Sequence, residues 1–264
     1  AATPSIDTTI KSIALEAAAS ISDENGNLLF YIGSADSDAS NPGAKKFIVR
    51  NSLDSVMTGG DSLVGNTSMT QGLIIVPDPG DSMKYYIFHI TKPPLTFGDK
   101  LYYSVVDMNL NGGLGEVISM NLLINNSVLE KMHAIKAANG KDWWLISTYY
   151  TTSTDYFIKY KIDSSGIQYK GMQVFPSMFN NGYSGAGQMI FAKNGNKLMY
   201  SGGLDITYIF DFDRCIGEFS NQIPLDTFPW SSSGLSGGRY GASLSPSGRY
   251  AYLSTSEGYI DSLW

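Results

Sequence analysis

Short apolar segments separated by turn residues recur along the whole chain. Five times, an apolar run leads into a tight turn that ends on glycine, and a second run rich in aromatic residues follows. The turn glycines are Gly26, Gly80, Gly140, Gly195 and Gly248. They are spaced by 54, 60, 55 and 53 residues. Such self-similarity at a nearly fixed period predicts one supersecondary unit repeated along the chain, with a period somewhat longer than that of the commonest propeller blades.

A third strand follows in each of the first four repeats, and each ends on an aspartate or asparagine. These residues are Asn51, Asp107, Asp163 and Asp213. Side chains of this type bond the backbone two residues further on, and we therefore predict Asx-type turns at all four positions. Calcium ligation is the alternative, but it calls for a denser loop of Asp, Asn and Gly than these segments contain.

The second strands are apolar on both faces. Lys84–Ile90 and Asp142–Ile146 run almost without alternation, whereas a strand covered on one side alternates polar and apolar residues. Sheets stacked face to face cover both sides of such strands. We therefore predict an all-β fold: a single β-propeller domain of four-stranded antiparallel blades, with about five repeats and an incomplete ring. The repeats are placed at 12–57, 68–124, 130–176, 184–224 and 238–264.

Composition narrows the range of partners. The 264 residues are 43% hydrophobic and 16% charged, with a net charge of −6, which is enough apolar material for a sizeable core. Basic residues are spread thinly, so no nucleic-acid partner is expected. The apolar runs are too short to cross a bilayer, so no membrane insertion is expected. Cys215 is the only cysteine, which rules out an internal disulfide and a cysteine-based metal cluster.

Several of these segments resemble the propeller domains of large secreted Bacteroidetes proteins, which carry YVTN/WD40-type, lactonase-like repeats. The segments that carry the resemblance span nearly the whole chain in the same order: Ala19–Tyr31, Thr70–Gln71, Val76–Gly80, Tyr103–Gly115, Glu130–Trp144 and Ser245–Gly248. The resemblance implies a secreted or cell-surface protein. It also implies a link to the type IX secretion and gliding-motility systems, since such proteins often end in a sorting domain of that type.

The chain departs from this family at two places. Ala17-Ala18 stands where the family has Gly-Cys, and a polar insertion from Gly33 to Lys46 replaces a short Asp-Gly turn. The family domain is also longer, and the fifth repeat reaches only its third strand by Trp264. We therefore expect a piece of a longer propeller, which would aggregate when expressed alone because its sheet edges are open.

Alignment of the repeats on their glycines suggests where a ligand would bind. Polar residues precede the innermost strands by similar distances, and would ring one mouth of the central channel: Glu16, Gln71, Glu130, Lys131 and Arg239. Convergent polar groups beside apolar walls are typical of ligand sites. The alternative is that they are the solvated ends of inner strands.

The two histidines, His89 and His133, have no second histidine near them in sequence. This spacing does not favour a zinc site. We predict that His89 is packed in a second strand, whereas His133, on an inner strand, is added to the channel-mouth candidates. Trp143 and Trp144 have the chemistry to stack on sugars, but adjacent strand residues point to opposite faces and both faces are predicted to be covered, which favours a core role.

Two functions are consistent with this pattern. The first is a non-catalytic recognition or scaffold module that binds a protein or a glycan, with no cofactor, no metal and no catalytic residue. The alternative is a lactonase-like hydrolase whose acid, base or metal groups come from Glu16, Glu130, His133 and Arg239, an argument from fold analogy. Clustered carboxylates in a dry pocket would favour the hydrolase, and dispersed, solvated ones the binder. A spacer between other domains is a third reading that the sequence leaves open.

Overall fold

The computed structural model describes residues 16–34, 45–91, 99–150, 154–175, 187–202, 207–225, 238–257 and 260–263. These residues form five antiparallel sheets in which neighbouring strands follow one another in sequence. The only helical segment among them is a 3₁₀ turn at Asn111–Gly113. No helix in the described part of the chain is long and apolar enough to cross a membrane.

Each sheet is a blade. Blade 1 contains β1 (Ala19–Ser22), β2 (Leu28–Ser34), β3 (Lys45–Asn51) and β4 (Leu63–Gly65). Blade 2 contains β5 (Leu73–Pro77), β6 (Lys84–Thr91), β7 (Asp99–Asp107) and β8 (Glu116–Val128). Blade 3 contains β9 (Met132–Lys136), β10 (Trp143–Tyr150), β11 (Asp155–Asp163) and β12 (Gly166–Phe175). Blade 4 contains β13 (Met189–Phe191), β14 (Lys197–Tyr200), β15 (Tyr208–Asp213) and β16 (Glu218–Pro224). Blade 5 contains β17 (Gly238–Leu244), β18 (Ala251–Glu257) and β19 (Ile260–Leu263).

The first strand of each blade lies innermost, and the first strands of successive blades contact one another from β1 to β17. The predicted all-β fold of four-stranded antiparallel blades is confirmed, and within the described ranges the ring is not closed. The fourth strand of blade 1 lies after residue 57 and that of blade 2 runs past residue 124. These two blades therefore extend beyond the repeat limits placed from the sequence.

The hydrophobic core is divided into three clusters, each lying between two neighbouring blades. Alternate residues of one strand enter different clusters: Ile87 of β6 packs towards blade 1, and its neighbour Phe88 packs towards blade 3. Both are fully buried. Leu145 and Ile146 of β10 likewise enter different clusters. The predicted two-sided burial of β6 and β10 is confirmed, because consecutive side chains of a strand point to opposite faces and both faces are covered by another blade.

The four predicted Asx turns are present. The Oδ1 atoms of Asn51, Asp107, Asp163 and Asp213 accept the backbone N–H two residues further on, at 3.0, 2.9, 2.8 and 2.7 Å. Hydrogen bonds from Ser165 lower the pKa of Asp163 below its ordinary value. Four of the five turn glycines have positive φ, whereas Gly80 does not. Its turn is organised instead by Asp78, whose carboxylate accepts the Gly80 N–H at 2.7 Å.

His89 joins blades 1 and 2 through a chain of hydrogen bonds, and its predicted packing is confirmed by its complete burial. Its Nδ1 lies 2.6 Å from the Val64 carbonyl, so Nδ1 carries the proton and donates it. The Ser104 hydroxyl lies 3.1 Å from Nε2 and also accepts the Asn121 N–H at 3.0 Å. Desolvation lowers the pKa of His89 to about 4.

This burial makes the stability of the protein depend on pH. Above pH 6.5 the histidine is neutral in both states and contributes no pH dependence. Between about pH 6.5 and 4 the histidine is protonated in the unfolded chain but stays neutral in the folded protein. Lowering the pH through this range therefore lowers the free energy of unfolding, by about 3 kcal/mol for His89. Urea unfolding at pH 7, 6 and 5 measures this loss together with that of His133, whose pKa burial lowers to the same value. A free energy of unfolding that stays constant from pH 7 to 5 would contradict the buried, neutral state of His89.

Candidate functional site

The inner strands of blades 2, 3 and 4 begin side by side, and their first residues form the part of the channel entrance that we call the axial mouth. Gln71, just before β5, forms a parallel bridge with Lys131, just before β9. Gln188 directly precedes β13 in the next blade. The glycine alignment predicts Gln71 and Lys131 as neighbours at the channel mouth, and the structure pairs their backbones.

Gln71 spans from blade 2 to blade 4 across the start of blade 3. Its Nε2 donates to the Met189 carbonyl at 2.9 Å, and its Oε1 accepts the Met189 N–H at 2.6 Å. Met189 is fully buried, and buried backbone groups need hydrogen-bond partners. The primary amide of Gln71 supplies one donor and one acceptor in the same arrangement as a neighbouring strand. It acts as a substitute for backbone pairing.

Lys131 lies beside this amide and is completely buried. Its Nζ donates to the Ser201 carbonyl at 2.7 Å and lies 3.9 Å from the centre of the Tyr200 ring. An ammonium removed from water is costly unless other groups replace its hydration. A carbonyl dipole and the negative face of an aromatic ring both do so. Lys131 thus connects blade 3 to the end of β14 in blade 4.

Glu130 is half-buried, and its Oε2 accepts the Thr70 N–H at 3.4 Å. The carboxylate therefore contacts the loop that leads to Gln71. Gln188 makes a comparable link in the next blade, where its Oε1 accepts the Ala242 N–H at 2.8 Å. The polar side chains of the axial mouth are thus bonded across blade boundaries.

The remaining channel-mouth candidates lie apart from this group. Glu16 is exposed, and its backbone N–H donates to the Thr67 carbonyl at 3.1 Å. His133 lies between blades 3 and 4, with its ring edge-on to Phe191 at a centroid distance of 5.6 Å. Arg239 is a backbone member of β17, opposite Thr255, and its side chain falls outside the described part of the structure. Of the six predicted residues, the structure groups Gln71, Glu130 and Lys131.

His133 is held in its neutral form. Desolvation lowers its pKa to about 4, and its buried Nδ1 has no hydrogen-bond partner among the described residues. Within the same ranges, no three His, Cys, Asp or Glu side chains come together in a way that would hold a metal ion. Trp144 is 3% exposed and its Nε1 donates to the Arg214 carbonyl at 2.9 Å, so the core role predicted for this tryptophan is confirmed.

The opposite face of blades 3 to 5 carries an open cavity of about 610 Å³. Two of its charged groups are paired with each other: Lys197 lies 2.5 Å from Asp211, and Asp211 also accepts from Asn221 at 2.6 Å. The hydrogen bond from Lys197 is the main reason that the pKa of Asp211 is lowered. The Arg214 Nη1 donates to the Lys136 carbonyl at 3.4 Å, whereas its buried Nε has no hydrogen-bond partner among the described residues.

Comparison with solved structures supports the propeller architecture. The periplasmic gluconolactonase of Pseudomonas aeruginosa aligns with 88% of this chain and 63% of its own, at a TM-score of 0.53 and 11% identity. An exo-β-1,3-galactanase from Phanerochaete chrysosporium, solved with β-1,3-galactotriose, aligns with 95% of this chain and 58% of its own, at a TM-score of 0.52 and 11% identity. The fold is that of a β-propeller. The chain spans less than two thirds of the length of either structure.

A scan against protein-family models finds no match. A search of curated protein sequences finds no match either. The likeness is therefore one of fold, and the sequence resemblance to secreted Bacteroidetes propellers receives no further support from these comparisons beyond the propeller itself.

Sequence reasoning did not identify Tyr200, Ser201 and Met189 as members of the axial mouth. Tyr200 ends β14 and Ser201 follows it, and Lys131 contacts both from about 70 residues away in sequence. Their one local signal is the polar Ser201 directly after an apolar strand, which is a common pattern at strand ends. Nothing in the sequence indicates that a backbone carbonyl there receives a lysine.

Proposed function

We propose that the protein is a non-catalytic recognition module that acts outside the cytoplasm and binds a protein or a glycan. The observation that carries the proposal is that the polar side chains of the axial mouth are bonded to the protein itself. Gln71 and Lys131 both form hydrogen bonds to the backbone of blade 4 instead of facing a ligand. A catalytic acid or base needs a pKa and a position suited to proton transfer, whereas these side chains hold blades together.

The comparisons support the location and one of the two ligand classes. The gluconolactonase is described as periplasmic, and the galactanase was solved with a galactose trisaccharide. Both neighbours are enzymes of sugars or sugar derivatives, which favours a glycan over a protein as the ligand here and fits the hydrolase alternative as well as a binding module. An origin among secreted Bacteroidetes proteins, with export by type IX secretion, is a proposal that rests on the sequence resemblance alone.

A lactonase-like hydrolase is the second candidate, and the two solved neighbours, a gluconolactonase and a galactanase, fit it. One feature of the axial mouth also favours it. Glu130 directly precedes the buried Lys131 in sequence, and its carboxylate accepts the Thr70 N–H at the same mouth. A carboxylate and an ammonium at the centre of a propeller are groups that acid–base catalysis would use. Glu16, His133 and Arg239 would have to supply the remaining roles in that mechanism.

Measurement of substrate hydrolysis distinguishes the recognition module from the hydrolase. We expect the 264-residue protein to leave D-glucono-1,5-lactone and β-1,3-galactotriose at their uncatalysed rates of hydrolysis, and we expect Glu130→Gln to behave as the wild type does. Lactone loss is followed by proton release and trisaccharide cleavage by new reducing ends. Wild-type turnover that Glu130→Gln reduces by about 100-fold, the usual contribution of an acid–base group, would establish the hydrolase and overturn the recognition proposal.

A further inference from the structure

A groove of about 540 Å³ lies on the outer rim of the propeller, between the outermost strands of blades 2 and 3. We call it the rim groove. Its walls are Ile124, Asn125, Asn126, Tyr160, Ile167 and Tyr169. It is remote in the fold from the axial mouth, because β8 and β12 are the last strands of their blades. A volume of this size lies within the range of small-molecule sites.

Two polar groups of the groove are held in fixed orientations. Asn125 accepts the Ser127 N–H through Oδ1 at 2.9 Å and donates through Nδ2 to the Tyr160 hydroxyl at 2.9 Å. The second Nδ2 proton and the Tyr160 hydroxyl proton then remain for another partner. Tyr160 is 2% exposed and its burial raises the pKa of the phenol, so the hydroxyl keeps its proton.

The outer part of the groove is an exposed aromatic ring flanked by an unused amide. Tyr169 is 56% exposed and lies 5.7 Å from the ring of Tyr160, its partner across the strand pair. Asn126 is exposed, and its side-chain amide has no hydrogen-bond partner among the described residues. Ile124 and Ile167 are half-buried and belong to the packing of the core between these blades. The groove therefore combines a rigid floor, an open ring face and free amide groups.

None of the six lining side chains is charged, which favours a neutral ligand. The faces of a tyrosine ring carry partial negative charge and attract the weakly positive C–H groups of a pyranose ring. Asparagine amides and a phenol proton supply the paired donors and acceptors that neighbouring sugar hydroxyls require. We propose that the rim groove binds a neutral saccharide, with Tyr169 as the stacking platform and Asn125, Asn126 and Tyr160 as hydrogen-bonding partners. This inference rests on the proposed recognition function and assigns it a place and a ligand class.

A microarray of neutral and acidic oligosaccharides that includes β-1,3-galactotriose, followed by calorimetry with the strongest neutral binder, tests the proposal. We expect binding of a neutral oligosaccharide that Tyr169→Ala weakens by about tenfold or more, the loss of one aromatic stacking contact. Asn126→Ala should weaken it by a smaller factor. Tyr250→Ala is the matched control, because Tyr250 is 60% exposed and lies on blade 5. Its affinity should equal that of the wild type.

Three results would overturn the rim groove as a saccharide site: no binding of any neutral oligosaccharide, binding of acidic ones alone, or equal affinity of Tyr169→Ala and wild type. A change of mass in solution on Tyr169→Ala, without saccharide binding, would also overturn it and assign the surface to contact between copies. If the wild type and Tyr169→Ala bind the oligosaccharide with equal affinity, the rim groove is wrong but the recognition function stands. If the bound oligosaccharide is cleaved during the measurement and binding depends on Tyr169, the non-catalytic function is wrong but the rim groove stands.

Discussion

Replacement of Phe157 by alanine is expected to lower the free energy of unfolding by about 3–5 kcal/mol. Phe157 is fully buried at the centre of the cluster between blades 3 and 4. Its ring lies 4.4 Å from that of Phe219, 5.2 Å from Phe210 and 5.3 Å from Phe175, measured between centroids. Alanine would remove these contacts and leave a cavity that the surrounding blades fill only in part.

Denaturant unfolding of two matched variants identifies the cause. Phe157→Leu keeps most of the buried volume and should cost clearly less than alanine. Val174→Ala lies on the same blade but is 52% exposed, so a change within about 0.5 kcal/mol is expected. Equal effects of Phe157→Ala and Val174→Ala would mean that the faces of blades 3 and 4 are not packed against each other.

Gln71→Leu is expected to cost about 2–4 kcal/mol, since it removes two hydrogen bonds and leaves a buried N–H and carbonyl unsatisfied. Both bonds go to Met189, which is completely buried, so water has little access to replace them. The effect should appear as a lower urea midpoint with an unchanged slope.

Gln222→Leu is the control for this substitution. Gln222 lies half-buried in β16, and its side chain has no hydrogen-bond partner among the described residues, so its replacement should change the free energy by no more than about 0.5 kcal/mol. If Gln71→Leu were as stable as Gln222→Leu, the Gln71 amide would not join blades 2 and 4, and the polar groups of the axial mouth would be free for a ligand.

The repeating architecture was accessible from sequence because its signals are local. Four aspartates or asparagines at strand ends predicted four Asx turns, and the structure contains all four. The two-sided apolar pattern of β6 predicted burial by a blade on each side, and Ile87 and Phe88 indeed enter different clusters. Each of these features is decided by a few consecutive residues and by the side-chain alternation of a strand.

The connections between blades could not be predicted in the same way. Gln71 meets a backbone segment 118 residues away, and Gln173 pairs with the N–H and carbonyl of Phe219 across 46 residues. A polar residue near a strand end looks the same in sequence whether it faces solvent, a ligand or another blade. The glycine alignment therefore made Gln71 and Lys131 neighbours, as their backbone bridge has them, but left the role of their side chains open.

The rim groove was missed for a related reason. The sequence drew attention to Trp143 and Trp144, whose adjacent positions mark them as unusual, whereas Tyr169 is one tyrosine among 17. Its exposure depends on the register that sets it opposite Tyr160, and on the neighbouring blade that brings Asn125 to the Tyr160 hydroxyl. Neither the register nor the neighbouring blade can be read from the residues around Tyr169.

The central claim is that consecutive blades surround an axis, and that Gln71 reaches across the start of one blade to the next. Nuclear Overhauser measurements on selectively labelled protein test it directly. We predict cross-peaks between the side-chain amide protons of Gln71 and the backbone amide proton of Met189, together with slowed solvent exchange of both groups. A Gln71 side chain that exchanges as fast as a solvated amide, with no cross-peak to Met189, would contradict the account.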